Sequence, residues 1–109
     1  VGYIAHDAVL VTGYRSASVE VPDLEAFRAS LPEPFRQLVI GPIDAAVNGY
    51  VTFAFLPDGS KEWWGTSDDA DTARSAFVSL FDASRWDVVA VRWGGDYGLE
   101  RGATVEVLP

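Results

Sequence analysis

Apolar positions along this chain switch several times between a period of two and a helical period, and each switch marks an element. Ile4–Tyr14 (IAHDAVLVTGY) alternates with both faces apolar: Ala8, Leu10 and Tyr14 lie on one, Val9 and Val11 on the other. Such a strand is expected at the centre of a sheet. Val21–Leu31 reads as a short helix, with Leu24, Phe27 and Leu31 at helical spacing. Pro22 or Asp23 starts it, Asp23 and Glu25 suit its positive end, and Pro32 and Pro34 stop it. Phe35–Ile43 reads as a second strand, with Gly41-Pro42 marking its end or a sheet edge. Tyr50–Leu56 (YVTFAFL) is the clearest strand, aromatic and β-branched with both faces apolar. The Asn48-Gly49 turn before it predicts an antiparallel pair with the second strand.

Pro57-Asp58-Gly59-Ser60 is a second turn, and Lys61–Trp64 reads as a short strand or loop. Ser67–Ser84 is the strongest helix prediction. Ser67 is its N-cap, Asp68, Asp69 and Asp71 crowd its first turn, and Ala70, Ala73, Phe77, Leu80 and Phe81 form its apolar stripe. Asp87–Trp93 is a strand with Val89, Val91 and Trp93 on one face, Gly94–Gly98 is a turn-rich connection, and Ala103–Leu108 is a final alternating strand. The order β-α-β-β-α-β-β predicts one α+β domain over residues 1–109. Its expected type is a ferredoxin-like split βαβ sandwich: an antiparallel sheet, its first and third strands central, with two helices on one face.

Composition narrows the chemistry. Sixteen acidic and eight basic side chains leave a net charge of −8 with the single His6 neutral. Direct nucleic-acid binding is not expected, because phosphate contacts need clustered Lys and Arg. The absence of Cys removes disulfides, Cys-ligated metals and a thiol nucleophile. No apolar run approaches the roughly 18–20 residues of a membrane span, and the start does not read as a signal peptide. A cytoplasmic protein is therefore expected. Seven Arg against one Lys, with fourteen Ala and one Asn, point to GC-rich codons and a high-GC bacterium or its phage.

Few constellations suggest catalysis. His6 begins a strand with no Gly-x-Ser-x-Gly elbow to serve, and an ordinary strand-edge role suffices for it. Asp68, Asp69 and Asp71 lack the spacing of a calcium loop and fit a helix start. Gly94-Gly95-Asp96-Tyr97-Gly98 runs from strand to strand, whereas a phosphate cradle leads into a helix. Neither metal nor cofactor is expected. The unusual stretch is Lys61-Glu62-Trp63-Trp64-Gly65, whose adjacent tryptophans project oppositely when extended, so that both are buried only where both faces are covered. Trp63 and Trp64, with Glu62, Asp58, Asp96 and Tyr97 nearby, form the candidate binding site.

His6, Asn48-Gly49-Tyr50 with Thr52-Phe53, Pro57-Asp58-Gly59-Ser60-Lys61-Glu62 with Trp64, Ser67-Asp68, Asp71 with Arg74 and Phe77, and Gly95-Asp96-Tyr97-Gly98 form an ordered set. It resembles small uncharacterised proteins encoded by bacteriophages and prophages; those relatives often carry Gly where this chain has Trp63. The resemblance implies a phage or prophage accessory protein in the host cytoplasm. A non-enzymatic binder of a host protein, as monomer or homodimer, is the leading expectation, with mimicry of nucleic acid by spaced carboxylates as a variant. A small-molecule-binding domain or small enzyme with a pocket near Trp63 and Trp64, and a virion or assembly component, are the alternatives.

Overall fold

A computed structural model describes residues 5–16, 21–59, 65–94 and 104–108. Its elements are β1 (Ala5–Tyr14), α1 (Leu24–Ser30), α2 (Glu33–Arg36), β2 (Val39–Asp44), β3 (Tyr50–Phe55), α3 (Gly65–Val78), β4 (Trp86–Gly94) and β5 (Thr104–Leu108). The architecture is α+β. Five strands form one antiparallel sheet in the order β2-β3-β1-β4-β5, so β1 and β3 are both interior.

The expected segments mostly form where their patterns place them. Asp23 caps α1, accepting from the backbone N–H groups of Glu25 and Ala26. Asn48 and Gly49 both take positive φ, as a tight hairpin between β2 and β3 requires. Three boundaries differ. Pro34 lies in the first turn of α2 instead of excluding helix, because a fixed φ and a missing N–H are compatible with a helix start. The second strand therefore begins at Val39, not Phe35. It is an edge strand, as Gly41-Pro42 suggested, with an irregular register between Ile40 and Ile43. The long helix begins at Gly65, which puts Ser67 inside the helix and not at its cap. That helix ends at Val78, and the segment to Arg85 is built from turns.

One face of the sheet carries the core. Val9 and Val11 of β1, Val51, Phe53 and Phe55 of β3, Val39 of β2, and Trp86 and Val88 of β4 pack with Leu24, Phe27, Phe35, Ala70, Ala73, Phe77 and Phe81. Arg28 fastens α1 to the sheet edge, donating from Nε to Val39 O and from Nη2 to Gly41 O at 3.0 and 2.9 Å. No described helix is long and apolar enough to cross a membrane.

Candidate functional site

Arg74 is the buried charged residue of the described structure, 8% exposed in the middle of α3. Its Nη1 donates to Asp58 Oδ1 at 3.0 Å, its Nη2 donates to Asp71 Oδ1 one helical turn back, and Asp7 Oδ2 lies 3.9 Å from Nη2. Burial works against the charged guanidinium, but the hydrogen bonds to Asp71 and Asp58 and the field of Asp58 and Asp7 outweigh it and raise its pKa. Asp7 also approaches Arg92 Nε at 3.9 Å from the neighbouring strand. The cluster ties β1, the segment after β3, α3 and β4 together.

Beside it runs a trough of about 620 Å³, whose lining includes Asp7, Asp71, Arg74, Arg92, Glu106 and Leu108. The cross-strand pairs Asp7↔Arg92 and Ala90↔Glu106 lie on the helix-bearing face, and α3 forms the wall. Among the described residues no cluster of acids or imidazole is arranged to hold a metal ion.

The opposite face of the sheet has a different character. Register places Ile40, Ala54, Leu10, Val89 and Val107 in one row crossing all five strands, and every member is apolar. Ala8, Val91 and Val105 form the row on one side of it. On the other side lie Ile43, Thr52, Thr12 and Asp87, then Tyr50 with Tyr14. His6 and Trp93 pair at the far end, their ring centroids 5.7 Å apart. Leu10, Tyr14, Ile43, Tyr50, Trp93, Val105 and Val107 are all exposed, Val107 to 71%. No described helix supplies a residue to this face, because the helices pack on the other.

Of the residues singled out from sequence, Trp63, Trp64, Glu62, Asp96 and Tyr97 lie outside the described residues. Asp58 is described: its side chain is 9% exposed and holds Arg74. Asp71 likewise sits beyond the first turn of α3, where it pairs with Arg74. Trp93, not singled out for binding, stands on the open face. The alternation of Val89, Val91 and Trp93, and of Val105 and Val107, already carried that signal. Compared with known proteins, the chain matches no family model, no curated protein and no solved structure.

Proposed function

We propose that this chain is a small non-enzymatic protein-binding domain that works with its open sheet face buried against protein. The observation carrying this reading is the unbroken apolar row Ile40–Ala54–Leu10–Val89–Val107 on a face bearing no described helix. Isolated exposed apolar residues are ordinary on protein surfaces, whereas a contiguous patch spanning a sheet marks an interaction site. The charged cluster fits a structural part, since Arg74 is fully engaged with Asp58 and Asp71. A ferredoxin-like sandwich with β5 added outside β4 is the finer topology we infer. The run β2-β3-β1-β4, with α1 and α2 between β1 and β2 and α3 between β3 and β4, supports it.

The resemblance to phage and prophage proteins makes a host protein one class of partner, which can meet the acidic helical side while the sheet face is occupied. A photo-crosslinking residue placed at Val107, and in a control at Ala76 on α3, tests the reading in cells. Protein adducts from position 107 are expected. A folded, expressed variant that gives none there overturns it. The trough beside Arg74 favours the small-molecule alternative. Saturable quenching of tryptophan fluorescence in a metabolite screen, lost in Glu106→Ala, would favour that alternative over ours.

A further inference from the structure

We propose that a second copy of this chain occupies the open sheet face, giving a face-to-face, two-fold dimer centred near Leu10. This rests on the reading above and names the partner. Three observations lead to it.

The first is charge. The chain carries −8, and a second copy must approach against that repulsion. Among the described residues of the open-face rows there is one carboxylate, Asp87, and no Lys or Arg. The helical side, by contrast, carries Asp23, Glu25, Glu33, Asp68, Asp69 and Asp71 against Arg28, Arg36 and Arg74, a net excess of acid. Stacking the sheets points both acidic sides outward. That keeps the described helical acids of the two copies apart.

The second is area. Strands about 4.8 Å apart and same-face residues about 6.6 Å apart give each of the 16 named open-face positions about 32 Å², or about 500 Å² in projection. Two such faces together reach the roughly 1,000 Å² of buried surface that a specific interface needs.

The third is self-complementarity. A two-fold interface sets each patch against its own copy, so it favours a patch without an excess of one charge at its centre. The row through Leu10 satisfies this, with apolar side chains from edge strand to edge strand. Asp87 lies one row away, beside Thr12 and Thr52, whose hydroxyl oxygens are 3.1 Å apart. The aromatic pairs Tyr14–Tyr50 and His6–Trp93 flank the two ends. Packed at about 10 Å, the two sheets form an apolar layer like that inside a β-sandwich.

Sedimentation equilibrium over a concentration series, with the full chain, tests the proposal. The expected result is reversible association to twice the 11.8 kDa of one chain. Leu10→Lys and Val107→Lys each weaken it by about 100-fold or more, because a charge is buried without a partner. Ala76→Lys on α3 leaves it unchanged. Both face substitutions are at exposed positions, and circular dichroism establishes that each variant is folded. Raising salt from about 50 to about 500 mM should strengthen the dimer, since screening removes repulsion between like-charged copies. A wild-type chain that stays monomeric at high concentration, or a dimer indifferent to both face substitutions, overturns the proposal. If the chain is monomeric while position 107 still crosslinks to another protein, the second copy is excluded and the protein-binding reading stands. If position 107 gives no adduct at all, both fail.

Discussion

Asp58 Oδ1 and Arg74 Nη1 lie 3.0 Å apart, joining the segment after β3 to the middle of α3 across 16 positions of sequence. Both side chains are about nine-tenths buried, so neither charge is solvated once the other is removed. Arg74→Met is expected to destabilise the fold by about 3 kcal/mol, measured by urea unfolding. Adding Asp58→Leu to Arg74→Met should recover part of that loss, because it removes a buried carboxylate that has lost the Arg74 charge. A double-variant loss equal to the sum of the two single-variant losses would show that the pair is not coupled.

Gly13 faces Trp86 across the β1–β4 ladder, and a Cβ at position 13 would fall onto the indole ring. The ring is pinned in turn by Phe53 and Phe81, with centroids 5.6 and 5.4 Å away. Gly13→Ala is therefore expected to cost about 1–3 kcal/mol through overpacking and to change the near-ultraviolet dichroism of Trp86. Thr12→Ala, one position along on the open face, should cost much less. Denaturation of the two variants side by side checks the contrast.

Phe77 is fully buried where the helices meet the sheet, with ring centroids 6.0 Å from Phe27, 5.8 Å from Phe55 and 5.2 Å from Phe81. Phe77→Ala should destabilise by about 3–5 kcal/mol, while Phe77→Leu, which leaves less empty volume, should lose visibly less. Thermal unfolding distinguishes them.

Asp82 accepts from the backbone N–H and the hydroxyl of Ser84, at 2.9 and 2.8 Å. The backbone hydrogen bond, then the hydroxyl, then the charge of Arg85 hold its pKa below the usual aspartate range. A depressed carboxylate stabilises the fold above its unfolded-state pKa and loses that contribution as pH falls through the folded value. Carboxyl-carbon resonances should show a low midpoint for Asp82. Ser84→Ala should raise it partway, because the backbone donor remains. An unchanged midpoint would show that the hydroxyl does not contribute.

The element types were legible because the periodicity that identifies them is local. Leu24 and Phe27, or Val89 and Val91, declare their period within a few residues. Boundaries near Pro34 and Ser67 were less legible, since one residue type serves more than one position around a helix start. Apolarity on both faces of β1 and β3 correctly implied interior strands. It did not follow that both faces are covered: hydrogen-bonded neighbours fill the edges of a strand, and only another layer fills a face. Asp58 looked like a turn residue because Pro57 and Gly59 surround it, and nothing nearby in sequence reveals Arg74 as its partner.

By itself the sequence determined the succession of strands and helices, the Asp23 cap, the Asn48-Gly49 turn and the side of each strand on which its apolar residues fall. These depend on neighbours a few positions apart. Only the tertiary structure decided which side the helices cover, and that Arg74 gathers carboxylates from three separate segments. It also aligned Ile40, Ala54, Leu10, Val89 and Val107 into one apolar row on the face opposite the helices, exposed at Leu10 and Val107. Those relationships depend on register and layer order, which are settled by packing between residues far apart in the chain.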